Sequence, residues 1–359
     1  MKQLKDFADS INKCSKCGMC QAVCPVFKAT GNECAVSKGK FVMLDGVLKG
    51  DLKLSKTINK YLEMCLKCDK CSKFCPSGID VCEIFRTAKS EYLTNSPEGK
   101  FVKFLESELI FDNLINLAGI FNSGKQHSNP KNPVKKLLFF KGCANKLFKS
   151  SDNAVKDIFS RTCYSLIEND KLKCCGVPFL SSGNLSRYES VENFNTELIN
   201  QIDCDAVITD CASCMTVLQK YPELQKPVID FTEFLVNENI KFRFDKPVRV
   251  TFHKPCHYDK YNVFKKLIQN CENAEYTEMP EYDECCGFAG QFAFTNRKLS
   301  KELSKNKIIN ALTVNSDIIL TTCPACVMGL KQGLSLVKQK NKPKVMNITE
   351  FLAAAQIIE

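Results

Sequence analysis

What the 359-residue sequence lacks narrows its class before any motif is read. No apolar run is long enough to cross a bilayer. The N-terminus, MKQLKDFADSINKC, has no apolar stretch of the kind that opens a secretory signal. Neither a G-x-G-x-x-G nor a G-x-x-x-x-G-K-[ST] segment is present, so no flavin or nucleotide is expected on this chain. A dense basic block is missing too. The net charge is +10, but the lysines are spread along the chain, and nucleic acid is not an expected partner. These absences predict a cytoplasmic chain, with peripheral attachment to the inner face of the membrane left open.

What the sequence has in excess is cysteine: 23 residues in a chain that is otherwise 44% hydrophobic and 25% charged. Disulfide scaffolds belong to small secreted domains, and neither the length nor the N-terminus fits one. In a reducing compartment the remaining use is metal, and specifically iron–sulfur clusters. A cubane core of about +2 on four thiolates carries about −2, so several clusters would cancel most of the basic excess.

Two tight groups lie near the start. CSKCGMCQAVCP (14–25) and CLKCDKCSKFCP (65–76) both read C-x2-C-x2-C-x3-C-P, the two-cluster ferredoxin spacing in which the fourth cysteine crosses to the other cluster. The expected quartets are Cys14, Cys17, Cys20 and Cys75 for one [4Fe-4S] cubane, and Cys65, Cys68, Cys71 and Cys24 for the other. A pair of zinc sites is the alternative, but it gives the fourth Cys-Pro no role. Between the motifs, GKFVMLDGVLKG and LSKTINKYLEM read as helices.

Farther on, the chain repeats itself. KKLLFFKGC answers to VRVTFHKPC, KCCGVPFLSSG to ECCGFAGQFAF, DAVITDCASCMTVLQ to DIILTTCPACVMGLK, and PVIDFTEFL to KVMNITEFL. The five matched cysteines are offset by 113, 111, 111, 112 and 112 residues, which marks two homologous halves. Strand-length apolar runs (137–140, 206–209, 248–252, 317–321) alternate with helical stretches (186–202, 297–312), predicting α/β units around a buried parallel sheet. Cys143, Cys211, Cys256 and Cys323 fall just past strand ends, where open α/β sheets place ligands. Each half offers five thiols: Cys143, Cys174, Cys175, Cys211 and Cys214, then Cys256, Cys285, Cys286, Cys323 and Cys326. Adjacent cysteines cannot close an ordinary disulfide, because neighbouring Cα atoms are about 3.8 Å apart and a bridge needs about 4.4 Å or more. Five thiols, one more than a cubane takes, suggest that some sulfurs bridge two irons. Gly176 and Gly287 are expected to allow tight turns against such a cluster. Loss of iron from one set, or zinc in one of them, are the competing readings.

The expected organisation is α+β overall: an α-helical ferredoxin domain (1–100), a helix and linker (101–135), and two α/β repeats (136–240 and 241–359). The stretch 101–121 reads as a helix packed on the core, with docking to a partner or membrane surface as the alternative. Residues 122–136 read as a linker. Cys34, Cys82, Cys163, Cys204 and Cys271 are left over and read mostly as packed small hydrophobes. His253 and His257 flank Cys256. Hydrogen bonding to backbone or cluster sulfur is expected of both, and His257 is also the candidate proton donor.

The N-terminal part resembles the α-helical ferredoxin domain of succinate dehydrogenase iron–sulfur subunits. The five-thiol pattern resembles the cysteine-rich (CCG) domain family, and the resemblance covers nearly the whole chain. That family includes heterodisulfide reductase B subunits, whose motifs hold noncubane [4Fe-4S] clusters, and the iron–sulfur subunits of glycolate oxidase, lactate-utilisation dehydrogenases and anaerobic glycerol-3-phosphate dehydrogenase. CPVFKATGNECAVSKGKFVMLDGVL, CPSGIDV, CCGVP, HKPCH and CCGFAGQFAF look like the dehydrogenase versions. Glycolate-oxidase subunits can lack a cysteine of the last C-x2-C, whereas CASC and CPAC are complete here. That shifts weight toward the glycerol-phosphate and heterodisulfide types. Lys254 also departs from relatives, which often carry a small or acidic residue there.

The resemblance implies two cubanes, up to two noncubane [4Fe-4S] clusters, an FAD-containing dehydrogenase subunit as partner, and a quinone or small redox acceptor. It thus implies an iron–sulfur electron-transfer subunit of a 2-hydroxy-acid or glycerol 3-phosphate dehydrogenase. Catalytic disulfide reduction at the CCG sites is the alternative.

Overall fold

The computed structural model describes residues 2–115, 117 and 129–358. Its N-terminal part is helical, as the residue patterns require. Helix Ser37–Leu48 buries Ser37, Lys40, Phe41 and Leu44, one stripe at helical spacing. Helix Lys56–Glu63 is capped by the Ser55 hydroxyl, which accepts from the Ile58 N–H. Helix Val81–Asn95 is capped by Asp80 and turns Val81, Ile84, Phe85 and Ala88 inward. These faces close a small core with Leu4, Phe7 and Ile11.

Two parallel sheets follow. The first consists of β1 (Lys136–Phe139), β2 (Ser165–Ile167), β3 (Ala206–Thr209) and β4 (Val228–Asp230), in the order β2-β1-β3-β4. The second repeats that order with β5 (Lys241–Phe252), β6 (Cys271–Tyr276), β7 (Ile318–Thr321) and β8 (Lys344–Asn347), arranged β6-β5-β7-β8. A short β9 (Gln356–Ile358) pairs antiparallel with the start of β5. The α/β repeats expected from the alternation of apolar runs and helices are present, with helices at Leu185–Gln201 and Arg297–Leu312.

β1 and β3 pair in register, Leu138 with Val207 and Phe139 with Ile208, and β5 pairs with β7 in the same way. In both sheets this central pair is where the strand order reverses, so the loops leaving it open a crevice. Cys143 and Cys211 leave β1 and β3; Cys256 and Cys323 leave β5 and β7.

One face of each sheet contributes to a continuous apolar core, in which Phe139, Ile158, Phe159 and Phe231 of the first repeat join Phe252, Phe264, Ile308 and Phe351 of the second. The ferredoxin part seats on both repeats. Val26, Ala35 and Leu66 pack with Phe292, Leu299 and Leu303, and Gly183 packs against the Lys89 turn of helix Val81–Asn95.

The stretch 101–121 differs from the packed helix expected of it. Helix Pro97–Leu105 ends inside it and a π turn covers Glu108–Asp112, while 116 and 118–121 lie outside the described residues. Phe111 packs edge-on to Phe179 at 5.0 Å, and Asp112 pairs with Arg187 at 2.6 Å. Phe101, Phe104, Leu105, Leu109, Leu114 and Leu117 face outward. Hydrophobicity without a continuous stripe did not suffice to bury the segment. The first seven residues of the expected linker, 122–128, also lie outside the described residues.

Candidate metal centres

Cys14, Cys17, Cys20 and Cys75 line a recess of about 410 Å³, together with Lys16, Gly18 and Ser37. Cys24, Cys65, Cys68 and Cys71 line a second, of about 370 Å³. The two motifs fold alike. Lys16 and Gly18 in one, and Lys67 and Asp69 in the other, all take positive φ, curling each segment around its recess. Asp69 holds at φ 62° a turn that Gly18 makes at no steric cost.

The outer recess reaches solvent, with Cys17 exposed. In the inner one, burial pushes the Cys71 thiol up to about 12. Lys40, Lys67 and Lys89 are buried around the inner site. Lys40 acts electrostatically on Cys24, and Cys65 acts on Lys67 and Lys89. Burial brings Lys89 down to about 7, and its ammonium is held by the Ser181 carbonyl and the Gln291 side chain, both at 3.0 Å. The sequence carried one signal for Lys40, a lysine on the inward stripe of an amphipathic helix. Cys82, read as a packed hydrophobe, is on the wall of the inner recess; nothing in its sequence surroundings signalled that.

In the first repeat, Cys143 Sγ lies 3.4 Å from Cys174 Sγ, and Cys175 Sγ lies 3.3 Å from Cys214 Sγ. Cys211 contacts Cys214, so the five thiols form one group, buried except for the partly exposed Cys143. The second repeat reproduces the pairings Cys256–Cys285, Cys286–Cys326 and Cys323–Cys326. In each adjacent pair the second cysteine is the acidic one. Hydrogen bonding from Cys174 and Cys214 brings Cys175 down to about 5, and Cys285 and Cys326 act likewise on Cys286.

The glycines after the pairs do take positive φ, 88° at Gly176 and 78° at Gly287. The reason differs from the one expected. A Cβ at Gly176 would meet Tyr188, and one at Gly287 would meet Leu303 and the Ser300 carbonyl, so both face the following helix and not the thiols. Gly142 and Gly329 are the described glycines that face sulfur: a Cβ would lie 2.9 Å from Cys214 Sγ at the first and 3.1 Å from Cys286 Sγ at the second.

The four thiol groups also stand in a spatial series. Cys24 and Cys68 of the inner recess share one cluster with Cys256 and Cys285. Ion pairs Lys28–Glu284 (2.7 Å) and Lys70–Asp283 (3.2 Å) clamp this contact. The two five-thiol groups meet through Cys211 and Cys323, beside the Ala212 N–H to Thr322 carbonyl bond at 2.8 Å. In this series the thiol group of the second repeat therefore stands between the thiols of the dicluster part and those of the first repeat.

His257 is set in this series. Its Nε2 lies 2.9 Å from the Lys67 carbonyl, between Cys65 and Cys68, and its own carbonyl accepts from Thr216. Backbone bonding, one of the roles expected of it, occupies that nitrogen. His253 is fully buried near Cys286 and Cys326.

None of the 23 cysteines is in a disulfide. Crowded, unbridged, largely buried thiols are a donor set for soft metals and fit iron–sulfur clusters, whose binding releases the thiol protons. A family model described as "Cysteine-rich domain" matches residues 137–219 and 250–331, and one described as "4Fe-4S dicluster domain" matches 10–79. The chain therefore contains the cysteine-rich (CCG) domain. This CCG protein carries two copies of that domain behind an iron–sulfur dicluster domain. It is 21% identical to the probable glycolate oxidase iron–sulfur subunit of Bacillus subtilis, over 99% of this chain and 96% of that one. It is 22% identical to a dihydromethanophenazine:CoB–CoM heterodisulfide reductase subunit of Methanosarcina barkeri, over 96% and 94%. Among solved structures, a hypothetical protein from Helicobacter pylori shares the fold at TM-score 0.52 and 12% identity, covering 88% of this chain and 66% of that one. No described helix is long and apolar enough to cross a membrane.

Proposed function

We propose that this CCG protein is the iron–sulfur electron-transfer subunit of a flavin-linked dehydrogenase complex, acting on a glycolate- or D-lactate-type 2-hydroxy acid or on glycerol 3-phosphate. Its partner is an FAD-containing subunit, and its acceptor a quinone or other small redox molecule. The quartets Cys14/Cys17/Cys20/Cys75 and Cys24/Cys65/Cys68/Cys71 would hold cubanes, and the two sets of five would hold noncubane [4Fe-4S] clusters. When bound, such clusters supply one-electron transfer. The observation that carries this reading is the spatial series of thiol groups, from the exposed Cys17 inward through the second repeat to the first. The chain's own residues do two things in it: the thiols fix the stations, and the buried Lys40, Lys67 and Lys89 place amino groups around the inner quartet.

Anaerobic reconstitution with iron counting and EPR tests the reading. About sixteen irons per chain is expected, four per site. About eight irons with only cubane signals would remove the CCG sites from it.

A second reading, catalytic disulfide reduction at the CCG sites, is favoured by the close approach of the two complete five-thiol groups at Cys211 and Cys323. Robust disulfide turnover by the isolated chain with a reduced dye, without a flavoprotein, would replace the first reading by the second.

A further inference from the structure

The two repeats differ at one buried position beside the thiols. In the first repeat the residue after β1 is Phe140, and its N–H donates to the Ile208 carbonyl at 2.8 Å. In the second the residue after β5 is His253, and its N–H donates to the Leu320 carbonyl, also at 2.8 Å. The backbone bond is the same in both, so the two side chains occupy matching places, and both are fully buried. Phenylalanine leaves nothing polar there. The imidazole brings two nitrogens, and neither finds a hydrogen-bond partner in the protein. An unpartnered buried polar group is destabilising. The ring can place a nitrogen within 4.8 Å of the Cys286 and Cys326 sulfurs.

We infer that His253 donates a ring N–H to the thiolate of Cys286, so that the second-repeat centre is held at a higher potential than the same thiols beside a phenylalanine would give it. This rests on the reading that each set of five thiols holds an iron–sulfur cluster. Two features favour a hydrogen bond over direct ligation. Five thiols already surround the site. A ligating histidine also usually hands its other N–H to a carboxylate or carbonyl, and the second nitrogen of His253 has no such partner. Hydrogen bonds to cluster sulfur withdraw electron density from it and raise the potential. Phe140 can make none, so the two centres are inequivalent by construction. His253 is a positioning and tuning residue here, one that acts through Cys286.

The test uses the full, anaerobically reconstituted chain and three variants, His253→Phe, His253→Gln and Phe140→His, each followed by iron content and EPR-monitored redox titration. His253→Phe should keep the iron count, lower the midpoint of one CCG centre and leave the cubane midpoints unmoved. His253→Gln, which keeps an N–H donor, should recover part of that shift. Phe140→His should raise the midpoint of the other centre, and it keeps the test open if His253→Phe folds poorly. Pulsed EPR of the wild type should show a weak nitrogen coupling that His253→Phe abolishes. An unchanged midpoint in both His253→Phe and Phe140→His at full iron content overturns the inference. A strong nitrogen coupling, with iron lost on His253→Phe, overturns it in favour of direct ligation. If Cys323→Ser/Cys326→Ser costs no iron, the underlying reading of the second repeat fails, and the inference with it.

Discussion

The first and second repeats share strand order, register and five-thiol pairing, yet they differ in what surrounds those thiols. The Cys175 carbonyl is bonded by the Tyr221 hydroxyl at 3.1 Å, whereas the Cys286 carbonyl is bonded by the Ser304 hydroxyl at 2.7 Å. Phe140 stands where His253 stands. The N-cap after β4 is Asp230, and after β8 it is Asn347. Above all, the second repeat touches the dicluster part through Cys256 and Cys285, while the first meets it around Ser181, away from its thiols. A duplicated fold fixes where ligands can sit; the substitutions around it decide what each copy is placed to do.

The largest effect that would break the comparison is a cut in the series. Cys286→Ser should remove the second-repeat centre and slow reduction of the first-repeat centre from the dicluster part at least about tenfold, because transfer across an added gap is steeply slower. Cys175→Ser should remove only its own centre. Stopped-flow reduction with EPR-quenched samples separates them, and equal effects would mean that the repeats are fed in parallel.

Next come the two glycines. Alanine at either must accept a left-handed φ, at about 1–2 kcal/mol. At Gly287 the added Cβ would also lie 2.8 Å from the Ser300 carbonyl, which is backbone, whereas at Gly176 the clash is with the Tyr188 ring. Gly287→Ala should therefore destabilise by about 3–5 kcal/mol and Gly176→Ala by less, since a side chain yields more easily than a helix. Denaturation midpoints of the two variants check the order.

Asp230 and Asn347 give a pH-dependent contrast. Burial raises the Asp230 carboxyl from its usual range to about 6, and one of its oxygens finds no partner. A raised carboxyl favours the fold fully below its unfolded value near pH 4, and that contribution is lost as pH rises through about 6. At pH 8 the buried charge costs about 3 kcal/mol. Asp230→Asn keeps a capping side chain, like its counterpart Asn347. It should raise the melting temperature more at pH 8 than at pH 4.5, and equal gains at both would refute the buried-charge account.

The smallest effect is at the clamp. Lys28→Ala breaks the 2.7 Å pair with Glu284, but Lys28 is 46% exposed, so less than about 1 kcal/mol is expected. A larger loss in the denaturation midpoint would mean that the contact with the second repeat depends on charge more than on the apolar seam of Val26, Leu66, Phe292 and Leu303.

Much of this was legible in the residues. The strands at 137–140, 206–209 and 317–321 announced themselves as short apolar runs, and the helices at 186–202 and 297–312 as the stretches between, because burial on both faces of a parallel sheet leaves that pattern. The 101–121 segment misled, because its apolar residues follow no single stripe and most of those described face outward. Cys82 passed as filler, since its proximity to Cys65 and Cys71 is made by helix Val81–Asn95 folding back and not by spacing. The tight turns at Gly176 and Gly287 were foreseen, but the atoms that require glycine belong to helices that follow in the chain.

By itself, the sequence determined the thiol sets, the duplication and the crevice at the strand ends, because each is written in the order and spacing of residues along the chain. Only the tertiary structure decided the order of the sites. The second repeat, farther along the chain from the dicluster part, is the one whose thiols meet it, because apolar surface on Val26 and Leu66 and charges on Lys28 and Lys70 find their complements there. Packing pairs complementary surfaces without regard to chain order, and so the series runs from the second repeat to the first.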